Sequence, residues 1–219
     1  MINNNNIDEV VKILGNKVKE YKTPIVTKIT NEGKNPFKIL ISTIISLRTK
    51  DDVTEAGTNR IFELATTPKE MAKISIKAVE KAIYPAGFYK TKAKTIIDTC
   101  NILVKQHNSI VPDDLDELLK IKGIGRKTAN LVIGQGYDKP AICVDTHVHR
   151  ISNRFGYVKT KNPHDTEFAL RDILPLKYWI IYNDILVAYG QNLCVPISPK
   201  CSICPIEKLC PKIDVKKSR

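Results

Sequence analysis

Apolar residues along the chain recur mostly at helical spacing. Val10, Val11, Ile13, Leu14 and Val18 fall on one face of a helix that begins after Asp8. Asn35-Pro36 predicts the start of the next helix, with Asn as the cap and Pro at the first helical position, where its missing N–H does no harm. Thr67-Pro68-Lys69-Glu70 forms a capping box with a proline inside it. Ser75 opens a further helix that ends near Tyr84-Pro85, and a long one follows from about Lys90 to His107. Pro112 and Asp113 precede a short helix in DDLDELLK, and Asn162-Pro163 repeats the cap-plus-proline start before HDTEFALRDIL. No stretch sustains the two-residue alternation of a half-buried strand. The pattern therefore predicts an all-α protein of about nine or ten helices. The asparagine run at 3–6 reads as a frayed terminus.

Length and charge narrow this picture. A chain of 219 residues can build one large core or two modest ones, and 42% hydrophobic residues are too many for a disordered chain. The formal charge of +12 favours an anionic partner, with nucleic acid the first candidate, over basic charge that merely aids solubility. The opening MINNNNIDEVVK has no basic segment followed by an apolar one, so it is no secretory signal. The longest apolar stretch, FKILISTIISL, is short and interrupted by Lys38, Ser42, Thr43 and Ser46, which excludes a bilayer span. A cytoplasmic protein without a membrane partner is expected, and in a reducing compartment its six cysteines should be thiols or metal ligands.

Three segments carry candidate chemistry. In IKGIGRKTAN (121–130), Gly123 and Gly125 let the backbone turn and leave its N–H groups bare at the start of a helix. With Arg126 beside them, these groups make an anion site suited to a DNA phosphate, although an ordinary short turn also reads as GxG. Lys127 sits on the first turn, at the positive end of the helix dipole, where its ammonium form is disfavoured and its amine becomes a usable nucleophile. Attack on C1′ of a nucleotide would expel the base and leave a Schiff base; a phosphate-binding or solvated lysine is the plainer alternative. Asp145, in AICVDTHVHRISNRF, offers a carboxylate to take the amine's proton or to stabilise a cationic sugar, and it also suits the cap of the helix that follows. His147 and His149 are two residues apart and face away from each other.

Cys194, Cys201, Cys204 and Cys210 form C-x6-C-x2-C-x5-C, a set of thiolates for zinc or an iron–sulfur cluster. A zinc ribbon usually shows two C-x2-C knuckles and only one is present, which leans towards a cubane while spacing alone leaves the metal open. Cys100 and Cys143 read as small core residues.

The segments G-I-G-R-K-T-A-N, V-D-T-H-V-H-R and the four-cysteine loop, in this order, resemble the endonuclease III family: helix-hairpin-helix DNA glycosylases with a 4Fe-4S cluster. The likeness runs from about residue 8 to about 212. It implies two helical lobes. A six-helix barrel would span 29–139 and hold the hairpin at about 115–134. Residues 1–28 with 140–219 would hold the cluster loop, 194–210. The family's Schiff-base lysine falls on Lys127 and its catalytic aspartate on Asp145, with Cys194, Cys201, Cys204 and Cys210 as cluster ligands. The residue that fills the stack, commonly Gln in bacterial members, falls at Arg48, and a second wedge, often Leu, at Phe88. These departures bear on the preferred opposite base. Asp51 matches an acidic pocket position and equally suits a helix cap; Lys200 and Lys208 could meet phosphates.

The resemblance implies a monomeric, nucleoid-associated enzyme on double-stranded DNA with damaged or abasic sites. It would remove oxidised pyrimidines and cleave the strand by β-elimination. One alternative is a mismatch glycosylase for thymine or uracil, whose members generally lack the lysine. Another is a non-catalytic iron–sulfur DNA-binding regulator, which would need neither Lys127 nor Asp145.

Overall fold

A computed structural model of the chain describes residues 1–219 and is helical throughout, without a strand. Twelve α-helices follow in order: α1 (Ile7–Val18), α2 (Ile25–Glu32), α3 (Pro36–Ser46), α4 (Asp51–Leu64), α5 (Pro68–Met71), α6 (Ile76–Ile83), α7 (Tyr89–Gln106), α8 (Leu115–Lys120), α9 (Arg126–Leu131), α10 (Thr146–Arg154), α11 (Pro163–Ile173) and α12 (Ile181–Asn192). A π-helical turn, Val132–Gly136, continues α9. The count exceeds the expected nine or ten because short helices such as the eight-residue α2 span too few turns for periodicity to stand out. No helix is long and apolar enough to cross a membrane.

The chain divides into two compact units, Met1–Pro24 with Pro140–Arg219, and Ile25–Lys139. The boundary expected at residue 29 would cut through α2. That helix packs on α3 and α4 through Ile25, Val26 and Ile29, so the division falls in front of it.

In the unit 25–139, α3 is the central rod. The apolar run that is too short for a membrane is instead buried on all sides, with Ile39, Leu40, Ile41 and Ile45 sealed from solvent by α2, α4, α7 and α9. Two of its polar interruptions bond within the helix: Ser42 Oγ donates to the Ile39 carbonyl at 3.0 Å and Ser46 Oγ to the Thr43 carbonyl at 2.8 Å. Asn35 caps α3 by accepting from the N–H groups of Phe37 and Lys38, and the capping box of Thr67 and Glu70 starts α5, both as the sequence predicts.

In the other unit, α12 packs against α1 and α10 around Leu14, Val148, Ile151, Phe155 and Leu186. The asparagine run belongs to this core's edge, contrary to the frayed terminus expected. Ile2 is 1% exposed, Asn3 N–H donates to Asn6 Oδ1 at 2.8 Å, and the Tyr157 hydroxyl donates to Asn4 Oδ1 at 2.8 Å. Burying one isoleucine contributes about 2 kcal/mol, and that anchor holds the polar residues between it and α1 in a fixed turn.

Candidate active site and cysteine pocket

The hairpin lies in the unit 25–139. Asp114 caps α8 by accepting from the N–H groups of Asp116 and Glu117. Ile121 and Ile124 are buried and pin the turn to the core, which leaves Lys122, Gly123 and Gly125 exposed between and beside them. The two glycines serve different ends. Gly123 has φ +93°, and a Cβ there would lie 2.8 Å from Thr95 Cγ2, so both conformation and packing require glycine. Gly125 has an ordinary extended backbone, but a Cβ on it would meet nothing within 4 Å, so the space before α9 stands open. No side chain caps α9, an arrangement suited to an external anion. Lys127 is the second residue of α9 and half-buried; Thr128, Ala129 and Asn130 behind it are buried and fix how the helix is turned.

The same unit brings Arg48 and Phe88 together from segments forty residues apart in sequence. The Arg48 guanidinium stands 5.7 Å from the Phe88 ring centroid, and Phe88 is 63% exposed. Both residues have left-handed backbones, φ 53° and 57°. Asp51 is not the cap of α4; Lys50 occupies that position and Asp51 is the first helical residue, where with Asp52 it meets the positive end of the dipole.

Asp145 belongs to the other unit. Ile142 and Val144 are buried, and Asn183 Nδ2 donates to the Cys143 carbonyl at 3.1 Å, so the approach to Asp145 is clamped from both sides of the chain. Its Oδ1 accepts the N–H groups of His147 at 2.8 Å and Val148 at 3.0 Å, capping α10, while the residue is only 9% exposed. His147 Nδ1 meets Arg150 at 3.2 Å and His149 Nδ1 meets Thr166 Oγ1 at 2.7 Å, so the two imidazoles serve separate neighbours. Burial lowers the pKa of His149, which favours its neutral ring.

Cys194, Cys201, Cys204 and Cys210 line one pocket of this unit, with Lys200 also on its wall. Cys100 and Cys143 are buried apolar positions elsewhere, as expected. Two pocket residues have no motif to announce them. Arg154, buried at the end of α10, donates to Cys194 Sγ at 3.4 Å and to the Val195 and Pro196 carbonyls at 2.8 and 2.6 Å. The Tyr189 hydroxyl lies 2.9 Å from Cys204 Sγ. Their only sequence signal is a cation closing an amphipathic helix and a tyrosine on a helix leading into the cysteine loop. Burial pushes the Cys194 thiol up, and Arg154 pulls it back towards the thiolate; burial likewise raises Cys210.

A family model described as HhH-GPD superfamily base excision DNA repair protein matches residues 41–176. Endonuclease III of Thermotoga maritima is 43% identical over 195 residues, which cover 88% of this chain and 92% of that protein. Endonuclease III of Escherichia coli K12 is 35% identical over 184 residues, 83% and 87% of the two chains. The solved structure of a trapped endonuclease III–DNA covalent intermediate, an estranged-adenine complex, matches with a TM-score of 0.85 at 32% identity and 97% coverage of both chains. The likeness thus extends far outside the three motifs, through both compact units, and the chain belongs to the endonuclease III family within the HhH-GPD superfamily of base excision DNA repair proteins.

Proposed function

We infer that this chain is a bifunctional DNA glycosylase and AP lyase that removes oxidised pyrimidines from duplex DNA. The observation that carries the reading is Lys127 on the uncapped first turn of α9, behind an open glycine hairpin. The Lys127 Nζ lone pair bonds to C1′ as the N-glycosidic bond breaks, and the base departs with the bonding electrons and takes a proton from water. Ring opening of the sugar gives a protonated Schiff base, which acidifies the C2′ hydrogen. Its loss expels the 3′ phosphate by β-elimination, and water then hydrolyses the imine to free the lysine. The Asp145 carboxylate accepts the amine's proton and stabilises positive charge developing on the sugar. Hairpin amides at Gly123 and Gly125, with Arg126, hold a phosphate without reading sequence, and Lys200 offers a second such contact. Arg48 and Phe88 fill the gap left by the extruded nucleotide.

A panel of duplexes, each with one defined lesion, tests this. Base release and strand nicking, measured separately, should appear together on oxidised pyrimidines such as thymine glycol. Efficient release from a thymine–guanine mismatch without nicking would instead support the mismatch reading.

The four cysteines hold a 4Fe-4S cluster in this proposal. All four are soft thiol donors around one pocket, and Arg154 supplies positive charge to the most buried of them. When bound, the cluster orders the loop 194–210, which contains Pro196, Pro199 and Pro205 and no helix longer than Cys201–Ile203. Protein purified under anaerobic, iron-replete conditions should be yellow-brown with about four irons per chain. Cys201→Ala should lower iron content, soluble yield and DNA affinity together. Stoichiometric zinc in colourless wild-type protein would overturn the assignment without touching the Lys127 chemistry.

A further inference from the structure

We propose that Lys92 is a positioning residue that ties the loop carrying Arg48 to the turn carrying Phe88, so that the two side chains enter a duplex as one rigid wedge. The proposal rests on the reading of Arg48 and Phe88 as the residues that fill the stack.

Lys92 belongs to α7 but shares the buried stripe of Ile96, Thr99, Cys100 and Leu103, and it is 6% exposed. A cation in such a place is costly unless every proton is received. Here all three are: Nζ donates to the Ile45 carbonyl at 2.6 Å, the Leu47 carbonyl at 2.6 Å and Thr49 Oγ1 at 2.7 Å. Two of these acceptors are carbonyls at the C-terminal end of α3, which the helix itself leaves unmet and where its dipole is negative. Burial still pulls the Lys92 pKa down to about 8.

Thr49 relays the connection. Its hydroxyl accepts from Lys92 and from the Gly87 N–H at 3.1 Å, and its remaining proton faces the Leu47 carbonyl at 3.4 Å. The two segments touch at Gly87, where a Cβ would come within 2.6 Å of the Arg48 carbonyl oxygen. Arg60 anchors the start of the Phe88 turn through the Ala82 and Tyr84 carbonyls, at 2.7 and 2.6 Å. Arg48 and Phe88 both hold a backbone conformation that non-glycine residues seldom adopt. Such conformations persist only when neighbours impose them, and Lys92 and Thr49 are the neighbours whose bonds join the two segments.

The test separates wedging from general stability. Single-turnover release of thymine glycol is compared in two duplexes, one with adenine opposite the lesion and one with a tetrahydrofuran abasic analogue there, which leaves no pair to break. Lys92→Met, Thr49→Val and Arg48→Ala are measured beside the wild type; Thr49→Val keeps the side-chain shape and carries the test if Lys92→Met does not fold. Arg48→Ala and Lys92→Met should each slow release by about tenfold or more on the paired duplex and by less than about threefold on the unpaired one. Thr49→Val should show the same asymmetry at smaller size. Equal slowing on both duplexes by the Lys92 and Thr49 variants, or no slowing, with the asymmetry kept in Arg48→Ala, would overturn the positioning role alone. Loss of the asymmetry in Arg48→Ala would overturn the wedge reading and this proposal with it.

Discussion

Lys127→Gln is expected to abolish borohydride trapping of the protein on abasic or thymine glycol DNA and to reduce strand nicking by more than roughly a thousandfold. The lone pair of the glutamine amide nitrogen is delocalised into its carbonyl and cannot attack C1′, so neither the displacement nor the Schiff base can form. Binding should change by no more than a few-fold, because Gly123, Gly125 and Arg126 are untouched. The variant should also fold. Lys127 is half-buried rather than sealed, glutamine is a good helix former, and removing a cation from the first turn of α9 relieves its repulsion by the helix dipole. A folded, DNA-binding Lys127→Gln protein that still traps would move the nucleophile to another residue. Thermal melting and a filter-binding isotherm on the same preparation exclude unfolding as the cause of any loss.

The fold was legible where side chains announce helix ends. Asn35, Thr67, Ser75 and Asn162 each cap a helix at the residue the sequence points to, since a short polar side chain before an apolar run has few other uses. It was illegible where the tertiary structure decides. Nothing local says that Ile2 is drawn into the core and orders the asparagines after it, or that α2 joins the unit that follows it. The π-helical turn after α9 likewise has no signature in Val132–Gly136.

The candidate site divides in the same way. The hairpin's two glycines could be read as one device; only the structure separates Gly123, which needs a left-handed backbone, from Gly125, which leaves open space. Arg48 and Phe88 stood out only by family resemblance, because single exposed residues carry no periodicity. Lys92 did leave a trace: it is a charge on the buried stripe of α7, four residues before Ile96. Such a charge needs an acceptor, but which acceptor depends on packing between α3 and α7, and that cannot be deduced from sequence spacing.

The second large effect is expected at Asp145, where two roles of one carboxylate can be pulled apart. Its Oδ1 caps α10 through the N–H groups of His147 and Val148, and an asparagine Oδ1 can accept the same two bonds. Asp145→Asn should therefore cost less than about 1 kcal/mol in stability, part of it the lost attraction between a negative charge and the helix N-terminus. Asn183 and the buried Ile142 and Val144 hold the segment in either variant. Turnover should nonetheless fall by roughly a hundredfold or more, because a neutral amide neither accepts the lysine's proton nor stabilises a cationic sugar. Asp145→Ala supplies the contrast: it removes cap and charge together, so it should lose about 1 kcal/mol or more of stability along with activity. Denaturant melts and single-turnover base release on both variants give the answer. If Asp145→Asn turns over within a few-fold of wild type while Asp145→Ala is merely less stable, the residue is a helix cap and the proton acceptor lies elsewhere.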